Sequence, residues 1–420
     1  MTSIRDEPGL RSETIRRANL SSIVRVLHAD GPATRSRLVA RTGLTRSAIR
    51  GLTGELVAGG LVREGRAARL GTPGRPSPLV FPQPRGAVVL ALDIEVDSLA
   101  AAFIGLGGEV LEHVRVDRPR GHSSLVDVVD DLAELAAVVA DRRSEPFSTV
   151  GIGVAIPGIV RRADGLVSVA PNLGWRDQPL GDQLVRVLGD DLPISVANEA
   201  DLGALAETRR GAAVGADHVL FVSGEVGVGG GLIVEGRPFT GVAGYGGEVG
   251  HLPVNPAGRV CSCGAIGCWE TEVGAMALLR RAGRNPAGGR AEMDALLADA
   301  ATGSPEVLAA LAETGRWLGL GLAGLLNVLN PRLVVFGGLF QRIHPWVASI
   351  VDAELDRRAL SAPRRLVRVV AGSLGDEAPL IGAAELAFEP VLADPARWLR
   401  GSALERARNH AKLTDRRVVA

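Results

Sequence analysis

Hydrophobic positions fall at helical spacing near the start of the chain and in strand-length runs through the rest. Over residues 12–29, Ile15, Leu20, Ile23, Val24 and Leu27 recur at three- and four-residue steps, which predicts an amphipathic helix ended by Gly31-Pro32. Thr34 stands ready to cap a short second helix carrying Leu38, Val39 and Ala40. Thr45 can cap a third, which buries Ile49, Leu52 and Leu56, and Gly43 suits the turn between the two. Two short strands, 61–64 and 77–81, flank an Arg/Gly/Pro loop at 65–76. A short helix, a glycine turn and a capped longer helix make a helix-turn-helix, and the strand pair makes it winged. This N-terminal domain is expected over 1–81.

The pattern changes after Pro82-Gln83-Pro84-Arg85-Gly86, a stiff connector over 82–86. Ala87 to Leu92 is a buried-strand run. After Asp93 a second apolar segment reaches Gly105-Leu106-Gly107-Gly108, so the pair reads as a hairpin. A helical stretch at 124–141 follows, then strands at 149–156, 194–197, 219–222 and 333–336. Strands mixed with helices over 87–393 predict an α/β body of two lobes. The remainder, 394–420, reads as a solvated tail.

Charge divides the chain at the same place. The 420 residues hold 47 Lys+Arg against 47 Asp+Glu, a net charge of zero. Residues 1–85 nevertheless contain fifteen Arg and six acidic residues, a net +9, which leaves −9 on the rest. A basic winged head suits DNA phosphates. Arg46, Ser47 and Arg50 lie in the first turns of the third helix, where side chains reach bases and phosphates in the major groove; Thr45 and Arg35 lie beside them. Arg66, Arg69 and Arg75 lie in the wing loop, whose Gly74-Arg75-Pro76 tip is shaped for a narrow minor groove. The charged N-terminus is not a signal peptide, and polar residues and Pro331 interrupt 318–340, so it is not a membrane span. Three cysteines cannot build a disulfide framework, and the context reads as cytoplasmic.

Those cysteines carry the sharpest local signal. Cys261, Cys263 and Cys268 fall within eight positions, and His251 precedes the first by ten. Three thiolates and an imidazole suit Zn²⁺ in a closed tetrahedral site over the loop 251–268.

Taken together, these residues resemble the ROK family of repressors, open reading frames and sugar kinases. The signature is Gly247-Glu248-Val249-Gly250-His251 followed by the CxCGxxGCxE run of 261–270. Residues 152–158, Asn172-Leu173-Gly174-Trp175, Asn198-Glu199-Ala200-Asp201 and Leu329-Asn330-Pro331 are similar to further family segments. The resemblance covers about 12–390 and implies an actin-like (ribonuclease-H-like) two-lobed fold with a sugar cleft between the lobes. It also implies that Asn198, Glu248, His251 and Glu270 contact sugar, that Gly158 and Asn172 line the cleft, and that Glu199 occupies the kinase base position. A homodimer or homotetramer, which would suit a palindromic operator, is implied as well.

Three departures from the kinase pattern stand out. The first phosphate cradle, Asp-x-Gly-Gly-Thr in family kinases, is Asp93-Ile94-Glu95-Val96-Asp97-Ser98 here. In the second, Glu225-Val226 replaces Gly-Thr, and Glu199 replaces the catalytic aspartate. Carboxylates repel phosphate oxygens, and lost glycines keep backbone away from them. The expectation is a DNA-binding regulator, not an enzyme, that answers to an aldose-type effector. Two alternatives remain open: an ATP-dependent sugar kinase with an appended DNA-binding head, and a regulator governed by a protein partner.

Overall fold

The computed structural model describes residues 8–65, 78–118, 123–142, 145 and 147–400. The head contains α1 (Pro8–Asp30), β1 (Ala33–Thr34), α2 (Arg35–Thr42), α3 (Arg46–Ala58), β2 (Val62–Gly65) and β3 (Leu79–Pro82). Both expected caps form: Thr34 accepts from the Arg37 amide and Thr45 from the Ala48 amide. Gly43 sits at φ 72°, which its lack of Cβ permits, and its amide closes α2 onto the Val39 carbonyl. Leu20, Ile23, Val24 and Leu27 of α1 are buried with Leu38, Ile49, Leu52 and Leu56, whereas Ile15, expected on the same face, is 61% exposed. The apolar stripe of α1 therefore begins at Leu20. Strand β1, too short to leave a pattern, joins β3 and β2 in a three-stranded sheet ordered β1-β3-β2.

Lobe one opens with the antiparallel meander β4 (Val88–Ile94), β5 (Ser98–Gly105) and β6 (Val110–Asp117). Helix α4 (Leu125–Asp141) leads to β7 (Thr149–Ile156), parallel to β4. Next come a small sheet of β8 (Ile159–Arg161), β9 (Leu166–Ala170) and β10 (Trp175–Gln178), then α5 (Leu180–Leu188) and β11 (Ile194–Asn198), parallel to β7. Lobe two starts with α6 (Glu199–Arg210), followed by the antiparallel set β12 (Val219–Gly224), β13 (Val228–Val234) and β14 (Arg237–Pro238). The helices α7 (Glu270–Val273), α8 (Ala275–Arg281), α9 (Gly289–Ala301) and α10 (Pro305–Leu329) come next. Strand β15 (Leu333–Gly337), helices α11 (Gly338–Arg358) and α12 (Ser361–Leu366), and strand β16 (Arg368–Ala371) complete the lobe. Finally α13 (Ala378–Ala393) returns to lobe one, and α14 (Pro395–Arg400) ends the described chain.

The two large sheets repeat one topology. Lobe one reads β11-β7-β4-β5-β6 and lobe two β14-β13-β12-β15-β16, each a meander whose first strand also starts a parallel run. This is the two-lobed actin-like arrangement. Helices α4 and α5 cover the outer face of the first sheet, and α11 with α10 covers that of the second. Between the sheets, α13 packs beneath β4 and β7, α6 packs on β13, and the two helices lie against each other. The carboxyl ends of β4, β7, β11 and β12 come together at the mouth between the lobes, where open α/β sheets bind ligands.

Head and body share one apolar core. It runs from Leu20, Ile49 and Leu61 through Val89, Ala91 and Ile104 to Phe388, Leu392 and Ala396. The connector is docked as well: the Gln83 amide donates to Leu61 O, and Pro84–Gly86 forms a single 3₁₀ turn. The expected solvated tail is corrected at its start. Pro395 and Ala396 are buried, and Leu399 presses on Gly59, because α14 seats on the head. No helix among the described residues is long and apolar enough to cross a membrane.

Candidate functional site

Gly158, Asn172, Asn198, Glu199, Glu248, His251 and Glu270 all line one cleft between the lobes, with about 810 Å³ of space open to solvent at its mouth. Asn198 ends β11 and caps α6: its Oδ1 accepts from the Ala200 and Asp201 amides, at 2.8 and 3.3 Å. Its Nδ2 donates to the Gly158 carbonyl at 2.9 Å, joining the turn after β7 to the first turn of α6. Glycine is required in β13 because α6 lies directly on it: a Cβ at Gly231 would sit 2.3 Å from the Ala200 carbonyl. The glycine-rich run after Glu225-Val226 is thus mostly strand, and the turn is confined to its start.

The metal-type residues also converge. Ligand atoms of His251, Cys261, Cys263 and Cys268 all lie within 4.8 Å of one another. Cys261 Sγ is 3.6 Å from His251 Nδ1, and the sulfurs of Cys263 and Cys268 are 3.7 Å apart. A tetrahedron with metal–sulfur bonds of about 2.3 Å has edges of about 3.8 Å, which the Cys261–His251 and Cys263–Cys268 pairs match. The cluster can bind a metal ion. It shares a wall with the cleft: His251 Nε2 lies 3.7 Å from Glu248 Oε2, and Cys261 Sγ lies 2.8 Å from Glu270 Oε1.

The opposite wall is acidic. Glu95, Asp97 and Glu225 line the cleft with Glu199, Glu248 and Glu270, and the lining contains no Lys or Arg. Glu95 accepts from Ser98 Oγ at 2.8 Å and pairs with Arg115, and Arg290 stands 3.8 Å away. Burial pushes Glu95 upward against the pull of Arg115. Enclosure, then the charges of Glu95 and Glu225, push Glu199 up to about 8. Burial, then the charges of Glu95 and Asp376, push Glu225 up to about 8, and the exposure of the residue to solvent screens that shift. Behind this wall Asp93 is buried, neither of its oxygens has a hydrogen-bond partner, and burial and Glu95 hold its carboxyl well above the usual range. Ser262, the variable position between Cys261 and Cys263, also reaches the cleft, while Arg115 and Arg290 belong to no motif, and nothing local in the sequence marks them.

On the head, Thr45, Arg46, Ser47 and Arg50 are exposed along the start of α3. Arg35 is different: it is half-buried and donates to Glu64 at 3.0 Å, so it clamps α2 to the wing strand. Arg66, Arg69 and Arg75 lie outside the described residues.

A winged head on a two-lobed actin-like body with a Cys₃His loop beside its cleft is a narrow class of protein. The ROK family profile matches residues 89–389, and the chain belongs to that family. The xylose repressor of Bacillus subtilis (strain 168) is 27% identical over 379 residues, 90% of this chain and 97% of its own length. The glucokinase of Streptomyces coelicolor is 31% identical over 320 residues, 72% of this chain and 98% of its own. Among solved structures, a ROK family transcriptional regulator homologous to the E. coli MLC protein superposes with a TM-score of 0.75 at 24% identity, over 92% of this chain and 100% of its own. A ROK family glucokinase from Streptomyces griseus, in complex with glucose and AMPPNP, gives 0.63 at 28% identity over 71% of this chain and 98% of its own.

Proposed function

We propose that the protein is a sugar-responsive, DNA-binding transcriptional regulator, a cytoplasmic repressor whose body binds an aldose-type effector and has lost the phosphate cradles for ATP. One observation carries the reading: six carboxylates and no Lys or Arg line a cleft that keeps every sugar-type residue expected of it. Carboxylates and amides hydrogen-bond sugar hydroxyls well, whereas Glu95, Asp97 and Glu225 put side chains where a nucleotide's phosphates need close backbone amides or a cation. The division of labour is a winged head at 1–81, a linker at 82–86, the body at 87–393 and a tail at 394–420. Thr45, Arg46, Ser47 and Arg50 face operator DNA, with Arg66, Arg69 and Arg75 as wing contacts. The resident metal is zinc, held by His251, Cys261, Cys263 and Cys268; it would fix the loop bearing His251 and Glu270. Sugar draws the lobes together, and this changes how the heads of a homodimer or homotetramer meet a palindromic operator.

The second reading, an active sugar kinase with a DNA-binding head, is favoured by the glucokinase relative at 31% identity. Two measurements on the full chain separate them. In the first, an aldose panel is expected to raise the melting temperature while ATP with Mg²⁺ does not, and no sugar-dependent ADP release is seen. Steady ADP release would make the kinase reading correct. In the second, Arg50→Ala is expected to weaken duplex binding and lower the salt slope by about one. A variant with unchanged affinity and slope would remove α3 from the DNA interface.

A further inference from the structure

A buried joint fastens the head to both lobes. The side chains of His28 in α1 and Glu385 in α13 are 3% and 4% exposed, and that of Arg210, the last residue of α6, is 15% exposed. Arg210 Nε donates to Glu385 Oε1 at 2.6 Å, and its Nη1 donates to the carbonyls of His28 and Gly107 at 3.1 and 2.9 Å. The Gly107 amide donates to His28 Nδ1 at 3.0 Å, and His28 Nε2 stands 2.8 Å from Arg210 Nη2 and 3.0 Å from Glu385 Oε2. The imidazole also leans on Phe388, ring centroids 4.9 Å apart. One guanidinium therefore binds the head through His28, lobe one through Gly107 and Glu385, and lobe two through its own helix.

The other end of that helix is in the cleft. Glu199 opens α6, and the Asn198 cap holds the Gly158 carbonyl of lobe one. The 12 residues of α6 span about 18 Å. Along the way Glu207 accepts from the Ser373 and Leu374 amides at 2.8 and 3.0 Å, which ties the helix to lobe two. Beneath it Gly382 of α13 lies so close that a Cβ would stand 2.0 Å from the Leu202 carbonyl. Helices packed this closely move past each other by small sliding, so lobe movement is expected as shear between α6 and α13.

We propose that Arg210 is the positioning residue that couples the cleft to the head: α6 carries displacement of its cleft end as a rigid rod, and Arg210 exchanges partners at the joint. This rests on the reading of the cleft as the effector site and the head as the DNA-binding part. Hydrogen bonds of this length cannot stretch by much before breaking, so the joint has discrete arrangements, each with its own head position.

The test is a thermodynamic cycle on the full chain, with D-xylose and D-glucose as probes. Duplex affinity is measured with and without sugar, and sugar affinity with and without duplex; the two ratios must agree. Arg210→Lys keeps the charge but loses the fork. The double variant Arg210→Gln/Glu385→Gln removes both charges, so that neither is left buried alone. In the wild type a ratio of roughly 5- to 150-fold is expected. In both variants sugar and duplex should each bind alone within about threefold of wild type, while the ratio falls to about one. A variant that keeps the wild-type ratio overturns the inference, as does one that loses either binding alone, since Arg210 would then be merely structural. A wild type whose DNA affinity ignores both sugars, with no thermal shift from either, overturns the functional reading first.

Discussion

Glu199 holds the first position of α6, between a capped turn and the acidic wall of the cleft. Its carboxyl is raised from 4.5 to about 8 by enclosure and by Glu95 and Glu225. Between those values the folded chain keeps a proton that the unfolded chain has released, so stability falls as pH rises through that window. Glu199→Gln has no such proton. Its melting temperature is expected to drop less than the wild type's between about pH 5.5 and about pH 8.5, and parallel curves would show that Glu199 titrates normally. The residue type and place of Glu95, Asp97, Glu199 and Glu225 were legible, because each departs from a recognisable pattern. Arg115, which neutralises Glu95, and Arg35, which clamps Glu64 instead of facing outward, were not. Pairings across a fold leave no local trace.

Short elements were legible where a chemical signal marked them. The caps at Thr34 and Thr45, the turn at Gly43 and strand β7 formed where their residues imply. Strands β1 and β8 were invisible, since two or three residues carry no periodicity. The cysteine loop carries the wall of the cleft that bears His251 and Glu270, and it is closed by hydrogen bonds such as Cys261 N to Ala265 O at 2.7 Å. Cys261→Ser is expected to reduce bound zinc to well below one per chain and to lower the melting temperature by several degrees, as measured by elemental analysis and scanning calorimetry. Full metal content in that variant would remove Cys261 from the ligand set.

Across the whole molecule, the head is docked on the body. The shared core, the α14 seat and the pairs Arg17–Asp394 and Arg400–Glu13, at 3.4 and 3.2 Å, bind the two together. A chain ending at Asp394 gives up the packing of Ala396, Trp398 and Leu399, on the order of 2–4 kcal/mol. Limited proteolysis is expected to cut this shortened chain near 82–86 faster than the full chain. Equal rates would mean that α14 adds nothing to docking.

Whatever depends on neighbours along the chain was settled by the sequence alone: the winged helix-turn-helix, the opposed charges of head and body, the Cys₃His cluster and the family. Helical periodicity, capping and clustered ligands act over a few residues, so they survive in one dimension. Tertiary structure decided the rest. It gathered Glu95, Glu199 and Glu225 from three strand ends into one wall, and it joined Arg210 to His28 across 182 positions of sequence. Burial, desolvation and long-range hydrogen bonds depend on distance in space, and only the folded chain sets those distances.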